Sequence, residues 1–243
     1  MRRGVKCKKE VINLLKSEYD RILKEEYGGD YLKALRDFEY ISENRLRALL
    51  SRFYGKPKSA SGAWRPCKGE LYEYVILNFI KNIIEKDKEL KKRLEAVPGE
   101  QILSYKNQIA IKNWSEVYPD VDILLVDKSK GLVKSIISCK TSLRERLTET
   151  AFWKRELEKE GKSQDIKFVF ITTNKDKELQ LDTNRYIIQH IIDYTFVTDS
   201  VKYEELLRAY KKRYGTRKDF NELISKVKDI EDFKQFLKEL VTH

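Results

Sequence analysis

The chain has 243 residues, 37% of them charged and 41% hydrophobic, with a net charge of +11. That balance describes one large folded domain or a core with a helical appendage, and no apolar run reaches the ~18 residues of a membrane span. The basic excess points to a polyanionic partner, nucleic acid first, with lysine-rich ion-pair networks as the alternative source of the charge. The two histidines and three scattered cysteines argue against a His-based metal site, a Ser-His-Asp triad, a C-x-x-C zinc site and a disulfide framework.

The start, MRRGVKCKKEVINLL, is basic but lacks the apolar core of a signal peptide, so a cytoplasmic protein is expected. VINLLKSEYDRILKEEY and YLKALRDFEYISENRLRALLSRFY carry apolar residues at helical spacing, which predicts helices over 5–54. GKPKSASGAWRP, 55–66, reads as a loop by composition. The expected division is therefore a helical N-terminal region, 1–62, and a core, 63–243. KGELYEYVILNFIKNIIEKDKELKKRLEAV reads as one long helix stopping before Pro98-Gly99.

Beyond this point strands dominate. QIAIKNW is a short strand candidate. VDILLVD and LVKSIISCK are β-rich runs joined by the turn-like DKSKG, which predicts a hairpin. SLRERLTETAFWKRELEKEG predicts a helix with a glycine stop. IKFVFITTN reads as a strand buried on both faces, and IIDYTFVT as another. Two or three helices close the chain, the last from about Asp219 to Val241. The order predicts an α/β sandwich with a mixed sheet flanked by helices.

The hairpin carries the chemistry. With its turn centred near Ser129, Asp120 lies opposite Ser138, and Lys140 lies one step further on the same face. Side chains alternate along a strand, so Asp120, Asp122, Ser138 and Lys140 can share one face. An aspartate and a lysine there suit phosphodiester hydrolysis. The carboxylate can hold a divalent cation, and the lysine can orient water and offset transition-state charge.

Pro119-Asp120, then about 18 residues, then Ser138-Cys139-Lys140 and KTSLRER resembles the PD-(D/E)XK nucleases. Within them it is most similar to type II restriction endonucleases that cut sites with CCGG or related G·C cores. The resemblance covers residues 68 to about 198. It implies a restriction-endonuclease-like fold, a Mg2+ cofactor that Mn2+ can replace, double-stranded DNA as substrate, and a homodimer on a palindromic site. The N-terminal helices would then serve dimer or DNA contacts. By this resemblance Asp120 is a metal ligand, with Asp122 as alternate. Cys139 offers its main-chain carbonyl, and Lys140 is the catalytic lysine. An upstream helical glutamate is Glu73, with Glu70 as alternate.

Ser138 stands where the wider superfamily has an acid. The subgroup supplies that carboxylate from the next helix, about 13 residues after the lysine, where this chain has Trp153. Glu149 is the expected replacement and Glu156 the alternate. Ser142 and Glu145 also fit a capping box for that helix. Arg144 and Arg146 sit at its positive end, where acids are favoured. Arginine reads guanine and glutamate accepts from cytosine in the major groove, so Arg144, Glu145 and Arg146 are the expected readers of a G·C pair. A repair nickase or junction resolvase on the same core, and a non-catalytic DNA-binding module, are the alternative functions.

Overall fold

The computed structural model describes residues 6–54, 57–112, 114–143, 146–162 and 165–242, without the side chains of residues 57 and 58. Arg144 and Glu145 lie outside the described residues. The chain divides into two compact units, 1–79 and 80–243. Among the described residues no helix is long and apolar enough to cross a membrane.

The first unit is helical. Helix α1 (Lys9–Glu25) and helix α2 (Tyr31–Arg36) are followed by a one-turn α3 (Phe38–Tyr40). A π-helical stretch, Ile41–Leu46, and a 3-10 stretch, Arg47–Arg52, continue it. Helix α4 spans Pro57–Lys86 and leaves the unit at Phe79. Leu15, Tyr19, Ile22, Leu35, Phe38 and Tyr72 form the buried centre.

Two sequence expectations fail in this unit. Of the segment 55–66, residues 57–66 are not a loop, because α4 spans Pro57–Lys86 and continues through Pro66. Proline at a first helical position loses no hydrogen bond, since that N–H has no partner within a helix. Burial of Trp64, Cys67 and Leu71 on one side of the helix outweighs the propensity of its glycines and prolines. The cysteines are also not all unpaired: Cys7 and Cys67 form a disulfide across 60 residues of sequence.

A buried ion cluster ties α3 and its π-helical continuation to α4. Lys68 Nζ donates to Glu39 Oε2 and Glu43 Oε1, each at 2.6 Å, and its side chain is only 5% exposed. Trp64 Nε1 donates to the same Glu43 oxygen at 3.0 Å. Burial opposes ionisation of Glu43, but the hydrogen bonds from Lys68 and Trp64 prevail and hold its carboxyl at about 2, below the usual 4.5. A depressed folded-state pKa means that this contribution is complete above the ordinary glutamate value and is lost as pH falls toward 2. Lys68→Met should therefore cost about 1–3 kcal/mol at neutral pH, less than a fully buried pair because the glutamates are partly exposed. It should also flatten the fall in melting temperature between pH 4.5 and 2, measured by circular dichroism. Parallel wild-type and variant curves across that window would contradict this account.

The second unit is a six-stranded sheet with helices on both faces. Helix α5 (Lys88–Arg93) leads into β1 (Leu94–Pro98). A 3-10 stretch and α6 (Lys106–Ile109) precede a small ribbon of β2 (Ile111–Lys112) and β3 (Glu116–Val117). The site hairpin is β4 (Ile123–Asp127) and β5 (Leu132–Lys140). Then come α7 (Arg146–Lys159), β6 (Lys167–Thr172), α8 (Asp182–His190), β7 (Tyr194–Val197), α9 (Ser200–Tyr214), α10 (Phe220–Lys226), β8 (Val227–Asp229) and α11 (Phe233–Thr242).

The sheet order is β1-β4-β5-β6-β7-β8. The first three strands pair antiparallel and the last four parallel, the mixed α/β arrangement that the element order predicts. Phe168, Val169, Phe170 and Ile171 of β6 are all buried, as the continuous apolar run requires. Leu147 and Ala151 of α7 pack with Phe170. Phe233 and Phe236 of α11 pack edge-on or tilted against Phe196 of β7.

Two further expectations fail in the second unit. Leu94–Pro98 is an edge strand rather than the end of a helix, because pairing with β4 buries Leu94, Ala96 and Val97. The C-terminal stretch from Asp219 is not one helix, because Val227–Asp229 leaves it to pair with β7. Glu145 of the expected capping box lies outside the described residues, and the described part of α7 runs from Arg146.

Candidate active site

The β4–β5 hairpin differs in register from the symmetric pairing about Ser129. Its turn occupies four residues, 128–131, so Asp127 pairs with Leu132. Asp127 holds this turn: its Oδ1 accepts from Ser129 N, Ser129 Oγ and Lys130 N, and Gly131 takes a φ of +64°. A bulge between Leu125 and Val126 adds a second slip, so Leu125 pairs with Ser135 and Ile123 with Ile137. One residue further, Asp122 lies across from Ser138. Two one-residue slips restore the face, because side chains alternate with period two. They exchange Asp120 for Asp122 as the residue beside the strand end.

The Asp122 carboxylate is the hub of the site. Its Oδ1 accepts from Lys140 Nζ at 2.8 Å, and its Oδ2 accepts from Cys139 N at 2.6 Å and from Ser138 Oγ at 3.5 Å. The Asp122 side chain is 6% exposed and that of Lys140 15%. Such burial is tolerable for the carboxylate because it is both ion-paired and hydrogen-bonded. The Cys139 side chain is buried and outside the disulfide.

Asp120 stands apart from this pair. Its Oδ2 accepts from Arg146 Nη1 at 3.2 Å, and the same nitrogen donates to Glu149 Oε2 at 3.0 Å. Arg146 and Asp120 are about half exposed. Arg146 thus bridges the expected ligand Asp120 and the expected replacement acid Glu149. Glu156 pairs instead with Lys159 on its own helix. Trp153, at the position where the resemblance expects a carboxylate, is packed into the core with Leu157 and Phe168. Glu70 and Glu73 lie on α4 within the first unit, both half-buried.

A support that sequence reading missed lies in the loop after β6. Glu178 Oε2 accepts from Leu143 N at 2.8 Å, and Thr173 Oγ1 donates to Thr141 O at 3.2 Å. These bonds hold Thr141 and Leu143, directly after Lys140. Asn174 and Lys177 in the same loop have φ of +52° and +56°, values uncommon for non-glycine residues. No local pattern marks Glu178, which lies 35 residues from Leu143.

Among the described residues no group of three or more His, Cys, Asp or Glu side chains is placed to hold a metal ion. The donor chemistry nevertheless suits Mg2+, which binds through one or two carboxylates completed by water and substrate phosphate. An ionised carboxylate has about four acceptor positions, and at Asp122 the bonds from Lys140, Cys139 and Ser138 occupy three.

A mixed sheet with a carboxylate and a lysine at the end of its antiparallel hairpin places the chain in a known fold. The PspGI restriction endonuclease, solved as a complex with substrate DNA, superposes with a TM-score of 0.63 over 95% of this chain and 93% of that one, at 14% identity. The chain belongs to the BsaWI type 2 restriction endonuclease family, whose model matches residues 101–235. Among curated relatives, MjaVIP of Methanocaldococcus jannaschii, assigned by its name to the type II restriction enzymes, is 30% identical over 152 residues, covering 58% of this chain and 66% of that protein. HpyAORF263P of Helicobacter pylori, with the same assignment, is 36% identical over 63 residues, covering 26% and 33%. The chain thus spans just under two thirds of the first relative and a third of the second.

Proposed function

We propose that this protein is a type II restriction endonuclease that hydrolyses phosphodiester bonds of double-stranded DNA, with Mg2+, at a short site containing a G·C pair. The observation that carries this reading is the buried Asp122–Lys140 pair at the end of β4–β5, in a chain of this family. Asp122 would hold the cation, while Asp120 and Glu149 share Arg146. When bound, Mg2+ supplies Lewis-acid polarisation of the phosphate and a water of lowered pKa. Lys140 orients the attacking water and offsets charge on the phosphate. Glu149 occupies the role of the acid absent at Ser138.

Sequence readout is assigned to Arg144, Glu145 and Arg146. An arginine carries five N–H donors, so the contacts of Arg146 Nη1 leave it able to address a base. A palindromic site implies a homodimer, with the N-terminal helices as contact surface. Incubation of plasmid with the protein and Mg2+ tests the whole reading. Discrete linear bands are expected. Relaxed circles or junction-only cutting would favour a nickase or resolvase, and intact plasmid with retained binding a non-catalytic module.

Glu178 acts as a positioning residue for the reading segment. Glu178→Ala should lower cleavage at the cognate site about tenfold, roughly the cost of one lost hydrogen bond to a charged acceptor. Glu178→Gln, which still offers an oxygen to Leu143 N, should recover most of the rate. Equal rates for Glu178→Ala and wild type, measured in single turnover, would remove the role.

A further inference from the structure

A second basic site lies away from the hairpin, among α8, α9 and α10. A cavity of about 260 Å3 opens there, lined in part by Arg185, Tyr186, Gln189, Tyr214, Arg217 and Asp219. Arg185 Nη1 donates to Gln189 Oε1 at 2.8 Å, and its guanidinium sits 5.2 Å from the Tyr214 ring centroid. These contacts fix the guanidinium plane. Its Nε is buried and has no hydrogen-bond partner among the described residues. A buried donor left unpaired loses its hydration without replacement, which makes the placement of this side chain costly.

The charge around the cavity favours an anion. Asp219 is the acid in the lining, and its Oδ2 is turned to Gln189 Nε2 at 2.7 Å. Arg185 and Arg217 oppose it. The chain adjoining the cavity adds Lys211, Lys212 and Lys218, all exposed, while Arg213 is paired with Asp182, which also accepts from the Tyr214 hydroxyl. A water's share of liquid volume is about 30 Å3, so the cavity has room for a tetrahedral oxyanion with ordered water. Guanidinium forks suit phosphate oxygens, and a continuing basic rim suits an anion that itself continues.

We propose that this cavity binds a phosphate group, and that the phosphate belongs to the DNA backbone outside the bond that is cut. The assignment to DNA rests on the nuclease reading; the phosphate site does not. Arg185 supplies the inner guanidinium and Arg217 the outer one. Contact at a backbone phosphate carries no base information.

The test compares wild type with Arg185→Gln and Arg217→Gln, the second at an exposed position so that a folding defect in the first leaves the question decidable. Equilibrium binding to cognate and random duplexes is measured across salt concentrations in Ca2+. Each variant should weaken both duplexes alike, by about threefold to tenfold, and reduce the salt slope by about 1. Separately, inorganic phosphate should raise the melting temperature of wild type more than that of either variant. Unchanged DNA affinity and slope with no phosphate effect would overturn the proposal. A phosphate effect with unchanged DNA binding would overturn the backbone assignment alone. Failure of wild type to bind any DNA would count against the nuclease reading, leaving the phosphate measurement to decide the cavity.

Discussion

Lys140→Ala is expected to lower DNA cleavage by about 10³-fold or more, on the scale of losing one preorganised electrostatic contact to a transition state. DNA affinity in Ca2+ should change little. The ammonium lies 2.8 Å from Asp122 Oδ1 at the end of β5, and a mostly buried cation contributes more there than it would in water. The variant leaves a buried carboxylate short of one partner, so its melting temperature should also fall. Lys140→Met, which keeps the stem, separates packing from charge: it should cut as poorly as alanine while packing better. Cleavage by either variant near the wild-type rate would sink the assignment of Lys140.

Asp122→Asn should lower single-turnover cleavage by orders of magnitude, and Asp120→Asn by clearly less. Symmetric pairing about the turn favours the reverse order, because it sets Asp120 across from Ser138. The pairing of Ile123 with Ile137 and the three hydrogen bonds received by Asp122 rank Asp122 above Asp120. Asparagine keeps the shape and removes the charge that Lys140 and a cation would share. Asp120→Asn instead releases one partner of Arg146, so it should act mainly through Glu149 and the start of α7. If Asp120→Asn proves the more damaging, Arg146 must give up Asp120 when DNA arrives, and Asp120 then enters the chemistry.

The elements that place this site were largely legible, for identifiable reasons. β5 and β6 announce themselves through runs of apolar and β-branched residues, and the hairpin through the polar turn between two such runs. What stayed hidden depends on partners far along the chain. Leu94–Pro98 and Val227–Asp229 are too short to show a period, and each becomes a strand only because a neighbour offers an open edge. The turn length and the bulge between Leu125 and Val126 leave no compositional mark, so the face of the aspartates could be read while their register could not. Cys7 and Cys67 lie 60 residues apart, beyond any spacing rule, and Glu178 reads as an ordinary solvated loop residue. Arg144 and Glu145 lie outside the described residues, and their role rests on the sequence.

The double slip in the β4–β5 hairpin has a consequence for how this site tolerates insertions and deletions. Asp120 and Asp122 are separated by the repeat distance of a strand, so each occupies the same station in an alternative register. A length change of two residues in β4 would hand the lysine a different aspartate and leave the kind of group beside it unchanged. A change of one residue would turn both carboxylates to the opposite face of the sheet. The Asp-Val-Asp sequence therefore works as a reserve: a chain that gained or lost a bulge together with a turn residue would keep an acid in place, and parity, more than length, is what the hairpin must preserve.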